Sequence, residues 1–189
     1  MIGRAAPATD ATPLRTSMPP SVLTIRPADN EDRAQLQAIR AAAFAPIFAS
    51  FRSILGDTIY EVAQAGDDEA QKVLLDSFFR SPTEWQIYAA EVSGHVVGFL
   101  SLRLDESAGL GEIGLNAVHP EYAGRGFGTA MYEFALDRMV DAGVQVATVS
   151  TGGDPSHAAA RRAYAKAGFT TGIPSVWLCC DLNERRGRP

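Results

Sequence analysis

Three glycines spaced two apart, Gly124, Gly126 and Gly128, follow His119-Pro120 and stand directly before the apolar periodic run Met131, Phe134, Ala135 and Leu136. Val118 ends the β-prone segment ahead of them, so the order is strand, glycine turn, helix start. A helix start leaves about four backbone N–H groups unpaired and carries a partial positive charge. An anion placed there gains several hydrogen bonds and a favourable dipole, and residues without Cβ let it approach the backbone. The chemistry available to this stretch is capture of a phosphate or pyrophosphate. Arg125, between two of the glycines, either adds a charge-assisted contact or projects into solvent.

Glycines at this spacing also serve simple tight turns, so their context decides. A dinucleotide-binding βαβ unit places them after an early strand, with an acidic residue about 20 positions later. Here the turn lies two-thirds along the chain, and Val144 to Val149 offers no carboxylate. A P-loop needs Gly-Lys-Ser/Thr, whereas this chain has Gly128-Thr129 without the lysine.

The stretch Leu115-Asn116-Ala117-Val118-His119-Pro120-Glu121-Tyr122-Ala123-Gly124-Arg125-Gly126-Phe127-Gly128-Thr129-Ala130 resembles the acetyl-CoA-binding motif of the GNAT superfamily of N-acetyltransferases, Gln/Arg-x-x-Gly-x-Gly/Ala. Gly126 and Gly128 match, and Ala123 departs from it at the first position. A second stretch, His157-x-x-Ala160-x-x-x-Tyr164-x-x-x-Gly168-Phe169, is similar to the family's Asn-x-x-Ala-x-x-x-Tyr-x-x-x-Gly-Phe segment, with His157 for Asn. The resemblance covers about Val22 to Leu182. It implies acetyl-CoA as cosubstrate, no metal, and cofactor contacts from Ala117, Val118, Ala123, Gly124, Arg125, Gly126, Phe127, Gly128, Thr129 and His157. It also implies a sheet splayed between the strands ending at Val118 and Thr151. Pantetheine would lie in that gap, pairing with the backbone near Ala117 and Val118 like an added strand. A bulge near Leu115 or Asn116 would create the gap and free an N–H for the thioester oxygen.

Attack on a thioester by an alkyl amine, with pKa near about 10, needs a route for its proton. Glu112 stands six residues before Val118, where the histone-acetylating branch of the family has its general base. The alternative is a solvated strand-end carboxylate after Gly109-Leu110-Gly111. In an uninterrupted strand, residues 114, 116 and 118 would share the face of Glu112; a bulge reverses that parity. The resemblance gives Tyr164 the role of proton donor to the departing sulfur, against an ordinary packed helix tyrosine one turn beyond Ala160. Both residues are thus catalytic candidates.

Other polar groups have structural readings. Asp154 before Pro155 reads as an N-cap and first helical residue. His95 and His119 are scattered and suggest no metal site. Cys179 and Cys180 sit in a β-like run whose alternate faces would bury one and partly expose the other. Asp57, Glu61, Asp67, Asp68, Glu69 and Asp76 against Lys72 either make a negative mouth for a cationic amine or form a solvated face. Phe48, Phe51 and Tyr60 line an acceptor pocket or, for the phenylalanines, pack in the core at helical spacing.

These groups need a scaffold. Val22 to Arg26 alternates like a strand, and Asp29 is a plausible N-cap for a helix carrying Leu36, Ile39, Ala43 and Phe44. Ile47 to Arg80 predicts two helices separated near Gly66. Trp85 to Val92 and His95 to Leu104 flank the short loop Ser93-Gly94 as an antiparallel pair. Then follow a strand over Glu112 to Val118, a helix over Gly128 to Ala142, a strand over Val144 to Thr151, a helix over Ser156 to Ala167, and one or two strands over Phe169 to Leu182. The class expected is α/β (α+β), a GNAT-like fold with a central mixed, mostly antiparallel sheet of about seven strands splayed at a cofactor cleft and flanked by helices.

The 189 residues, 46% hydrophobic, are enough for a single domain with one core. Residues 1–20, rich in Ala, Thr and Pro, read as a disordered extension and 184–189 as a solvated tail. Residues 21–183 form one acyltransferase domain, with the helical insertion 44–84 as the lip of the acceptor site. A net charge of −5 lacks the basic footprint that nucleic acid requires. No apolar run approaches the ~18 residues of a membrane span, and the two adjacent cysteines fit a reducing cytoplasm. The expected partners are a small-molecule or peptide amine and, for assembly, a second copy in a homodimer, with neither nucleic acid nor membrane among them.

Overall fold

The computed structural model describes residues 22–186. The proposed extension 1–20 lies outside them, as does the end of the tail. Five strands form one sheet in the order β1 (Leu23–Pro27), β2 (Trp85–Val92), β3 (His95–Asp105), β4 (Leu110–Val118) and β5 (Val146–Val149). All neighbours are antiparallel except β4 and β5, which run parallel across the crossover helix α3 (Phe127–Asp141). The β2–β3 turn at Ser93-Gly94 holds both residues at positive φ, 51° and 79°, the twist-matched form of a two-residue hairpin.

Helices cover both faces. On one side, α1 (Arg33–Ala63) and α2 (Asp67–Ser77) press Leu36, Ile39, Leu75 and Phe78 onto Ile87, Phe99 and Ala117. On the other, α3 and α4 (Ala158–Ala167) bury Met131, Ala135, Met139 and Tyr164 against Tyr88, Leu100, Leu102 and Ile113. The central strands β2 and β3 are therefore buried on both faces, which explains their nearly unbroken apolar runs.

Several expectations need correction. The first helix and the start of the insertion are one element, broken only at Gly56, whose φ of 73° and ψ of 163° leave the helical region. The N-cap of α1 is Asp32; Asp29 instead accepts from the N–H of Glu31 at 2.8 Å in a local turn. By length and composition α1 is apolar enough to cross a membrane, with a mean hydropathy of 1.4 over its best 18-residue window, contrary to the reading of its sequence. Leu36, Ile39 and Phe48 on it are buried in this fold.

The sheet has five strands rather than about seven. Among the described residues the run from Thr170 to Asp181 pairs with no strand, and a segment without a partner has no ladder to make it a strand. Cys179 and Cys180 are both exposed instead of alternating in and out. Part of the expected tail is ordered as the short helix α5 (Leu182–Arg186).

Candidate active site

β5 reaches only the first half of β4. Its four residues pair with Leu110 to Ile113, and from Gly114 to Val118 β4 keeps β3 on one side and, among the described residues, no strand on the other. The divergence coincides with a bulge. Leu102 pairs with Ile113 and Leu100 with Asn116, so Ser101 alone faces both Gly114 and Leu115. The fully buried Ser101 hydroxyl donates to the Leu115 carbonyl at 3.0 Å, which pins the extra residue. Gly114 is required there, since a Cβ would fall 2.4 Å from the Trp85 ring.

The bulge decides which side chains share a face. Ile113 packs toward α3, leaving Glu112 and Gly114 toward α1 and α2; after the bulge Leu115 and Ala117 take that side. Asn116 turns to the opposite face, against Tyr132 and Tyr164. The unbroken parity that would have grouped Glu112 with residues 116 and 118 is thus reversed.

A cleft of about 770 Å³ runs through the gap. Glu112, Ala117, Val118, Ala123, Gly124, Gly126, Phe127, Gly128, Thr129, His157 and Tyr164 all line it, so the structure assembles most of the residues singled out from sequence. Arg125 is absent from that lining. Its guanidinium donates back to the Glu121 carbonyl at 3.0 Å and lies 5.0 Å from the Tyr122 ring, the outward-turned alternative for this residue.

At one end of the cleft the glycine turn presents bare backbone. Gly124 and Gly126 have φ of 75° and 85°, and a Cβ on either would meet nothing within 4 Å. The first bond closing α3 runs from Ala130 N–H to Gly126 O at 3.0 Å, so the N–H groups of Phe127, Gly128 and Thr129 precede the helical ladder. Free N–H groups at a helix start, with no Cβ in the way, are chemically suited to an anion such as a pyrophosphate.

Deeper in, an amide and two phenols form a linked set. Tyr132 donates its hydroxyl to Asn116 Oδ1 at 2.9 Å, while Asn116 Nδ2 donates to the Gly114 carbonyl at 2.8 Å and to the Tyr164 hydroxyl oxygen at 3.0 Å. The two rings stack with centroids 4.2 Å apart. Burial pushes both phenols above their ordinary range, so Tyr164 stays protonated at neutral pH. The Tyr164 oxygen accepts from Asn116 Nδ2, and its hydroxyl has only a long 3.4 Å contact to Asn116 Oδ1 on which to place its own proton. Asn116 and Tyr132 were not recognised as site residues from the sequence; the available signal was an asparagine placed inside an otherwise apolar strand.

Glu112 is half-buried and its Oε2 accepts from Arg103 at 2.5 Å, while Arg103 also stacks on Trp85 at 5.3 Å. Asp154 caps the turn before α4 as expected, accepting from Ser156 N–H at 2.9 Å. It also holds His157 Nδ1 at 2.5 Å, and Phe51 stacks on that imidazole. These bonds and the Ser156 hydroxyl depress the Asp154 carboxyl despite its burial. Arg161 secures the same loop through the carbonyls of Gly152 and Asp154, at 2.5 and 2.8 Å.

The lip is apolar where it meets the cleft, through Ala43, Phe44, Pro46, Ile47 and Leu74, with Gln71 among them. The acidic run of the insertion is tied up elsewhere. Arg52 binds Asp57 and Glu61, Arg40 binds Asp68 at 2.5 Å, Arg33 binds Asp76 at 2.7 Å, and Lys72 binds Glu69 at 3.0 Å. Five of its six acids are thus paired, and Asp67 alone has no ion-pair partner among the described residues, so most of the charge is neutralised locally. Phe48 is core, and Tyr60 lies under Arg52. Among the described residues no group of three or more His, Cys, Asp or Glu side chains is placed to hold a metal.

The model of the Acetyltransferase (GNAT) family matches residues 48–169. The chain belongs to the GNAT acetyltransferase family. It is 31% identical over 163 residues to a mycothiol acetyltransferase of Sanguibacter keddieii, covering 84% of this chain and 46% of that protein, so the chain spans about half of that relative's length. Among solved structures, it superposes on a PaiA N-acetyltransferase from Thermoplasma acidophilum in complex with coenzyme A, with TM-score 0.62, 17% identity and coverage of 82% and 93% of the two chains. A GNAT acetyltransferase from Brucella melitensis in complex with acetyl-CoA gives TM-score 0.54, 21% identity and coverage of 80% and 84%. At these identities the structures establish the GNAT fold, a five-stranded mixed sheet between helices, for this chain.

Proposed function

We propose that this GNAT chain transfers the acetyl group of acetyl-CoA directly to a primary amine of a small molecule or peptide. The observation that carries the reading is the arrangement along one cleft. An anion cradle of free N–H groups lies at one end, unpaired β4 backbone in the middle, and Glu112 and Tyr164 on opposite faces of the bulged strand. Gly124 to Thr129 would hold the pyrophosphate, Ala117 and Val118 would pair with the pantetheine amides, and His157 would line its path. The thioester supplies an activated acyl group. Glu112 Oε1, the carboxylate oxygen not engaged by Arg103, receives the amine proton directly or through water, and the Tyr164 hydroxyl faces the departing sulfur. Neither cysteine lines the cleft, which supports transfer without a covalent enzyme intermediate. A small acceptor accords with the relative named as a mycothiol acetyltransferase.

The test is thiol release from acetyl-CoA across a panel of amino sugars, polyamines and peptide N-termini, with calorimetric CoA binding alongside. Turnover with a defined amine is expected, and Glu112→Gln should lower kcat by about 10²-fold or more while leaving CoA affinity unchanged. Binding of acetyl-CoA with no turnover across the panel would make the chain a cofactor-binding module instead.

A further inference from the structure

The residue that departs from the family segment, His157 in place of asparagine, is built into the cleft as one half of a dyad. Its Nδ1 lies 2.5 Å from Asp154 Oδ1 and 3.3 Å from the Ser156 hydroxyl. Burial works against charge on Asp154, yet the bonds from Ser156 and His157 hold its carboxyl below the ordinary range, so it is ionised at neutral pH. An ionised carboxylate only accepts. Nδ1 therefore carries the proton, and the neutral ring keeps its lone pair on Nε2.

The surroundings hold this pair in place. Asp154 Oδ2 accepts from the Ser156 N–H at 2.9 Å and from the hydroxyls of Ser156 and Ser50, the last at 3.5 Å. Gly152 has to be glycine, since a Cβ there would fall 2.5 Å from Nδ1 and 2.6 Å from Asp154 Oδ1. Phe51 of α1 covers a face of the imidazole, with centroids 5.9 Å apart. The ring lines the cleft, and among the described residues nothing bonds its Nε2. An oriented imidazole whose lone pair is left for a substrate is the arrangement a proton acceptor needs.

Its position suits the reaction. Val149, the last residue of β5, pairs with Ile113, directly ahead of the bulge. The loop that follows brings His157 into the cleft beside α1, the side of the sheet that Glu112 also takes. Transfer to an ammonium ion has two protons to remove. As the C–N bond forms and the C–S bond breaks, nitrogen goes from three N–H bonds to one, and the sulfur leaves with the bonding pair as a thiolate hydrogen-bonded by Tyr164. Glu112 accounts for one of the two protons. Imidazoles are closer in basicity to ammonium ions than carboxylates are, and they release a proton to water near neutral pH.

We propose that His157 is a second catalytic base, its Nε2 taking from the bound ammonium ion the proton that must leave before attack, with Asp154 as the positioning residue that fixes its tautomer. This rests on the reading of the chain as an amine acetyltransferase. It gives His157 a task that the asparagine of the family segment has no basic nitrogen to perform.

The experiment uses the full chain, unsubstituted and as His157→Asn and Asp154→Asn. The first variant keeps a polar side chain in the cleft, and the second keeps an oxygen for the Ser156 N–H. With its oxygen on Ser156, the introduced amide turns its NH2 toward Nδ1, which moves the ring proton to Nε2 and blocks the base. In both variants kcat with the amine selected from the panel should fall at least about tenfold, with calorimetric CoA affinity within about twofold of the unsubstituted chain. Long-range proton–nitrogen correlation spectra of histidine-labelled protein read the tautomer directly at about pH 8, where an ordinary imidazole is neutral. His157, assigned by its loss in His157→Asn, should be protonated on Nδ1 in the unsubstituted chain and on Nε2 in Asp154→Asn. An Nε2–H ring in the unsubstituted chain overturns the proposal. So does a loss of CoA affinity with kcat unchanged, which would make His157 a cofactor contact only. No turnover by the unsubstituted chain with any amine overturns the transferase reading and this role with it, whereas turnover that survives His157→Asn overturns this role alone.

Discussion

Replacing Tyr164 with Phe removes one hydroxyl and keeps the ring, so its effect can be worked out from the contacts present. The bond lost is the one from Asn116 Nδ2 at 3.0 Å, together with the long 3.4 Å contact from the hydroxyl to Asn116 Oδ1; the stack on Tyr132 at 4.2 Å is retained. Stability should fall by about 1 kcal/mol, the net worth of one such bond. The catalytic effect follows from relative acidities. Burial raises Tyr164 above the ordinary phenol value, while a thiol titrates near ~8.5, so complete transfer of the phenolic proton to a thiolate is uphill by more than about 1.5 units, or ~2 kcal/mol. Tyr164 is therefore suited to hydrogen-bond the sulfur as charge develops, without surrendering its proton. A bond to a charged group contributes about 1.5–3 kcal/mol, which corresponds to a loss of about 10- to 150-fold in kcat.

The assay is steady-state thiol release, with CoA affinity and thermal midpoint measured on the same samples. Because the folded-state pKa is raised, the donor remains protonated across the working range. The ratio of wild type to Tyr164→Phe should stay level from pH 7 to about 9 and begin to fall only above about 10. A folded variant with kcat within about twofold of wild type would refute the role assigned to the hydroxyl. A ratio that collapses near pH 8 would refute the buried, proton-retaining phenol.

Three further outcomes are expected. Gly126→Val places a β-branched residue at φ 85° and fills the open cradle; CoA affinity should fall at least about tenfold by calorimetry, and unchanged affinity in a folded variant would put the pyrophosphate elsewhere. Asn116→Leu leaves the Gly114 carbonyl and both phenols short of a partner. It should lower unfolding free energy by about 2–4 kcal/mol in urea titrations and reduce kcat at least as much as Tyr164→Phe. Asp76, bonded by Arg33 and Gln37, is held down to about 2. A depressed carboxyl contributes stability that is complete above its unfolded value and is lost as pH falls through the folded one. The difference in urea midpoint between wild type and Asp76→Asn should therefore be constant above about pH 5 and close between about pH 4 and 2.

Local order was legible where local chemistry is sufficient. The glycines before an apolar helical period, the Ser93-Gly94 turn and the Asp154-Pro155 cap each act over a few neighbouring residues, and the structure has each at the expected place. The helix boundaries near α1 were less so. Pro46 and Gly56 both signal a break, yet packing of Leu36, Ile39 and Phe48 carries one helix past the proline, and only Gly56 interrupts it.

The sequence by itself determined the family, the glycine turn at the start of α3 and most of the residues that meet in the cleft, because two ordered motifs encode backbone conformations that few other residues could adopt. Tertiary structure alone decided how those residues face one another. A single extra residue opposite Ser101 turned Glu112 toward the lip and Asn116 toward the tyrosines, and strand alternation read along β4 cannot locate that shift. It also decided that Asp57, Asp68 and Asp76 of the insertion are paired with arginines from a neighbouring turn or helix, and that the last apolar run has no strand partner among the described residues. Pairing is a property of two segments brought together, and no periodicity within one segment reports it.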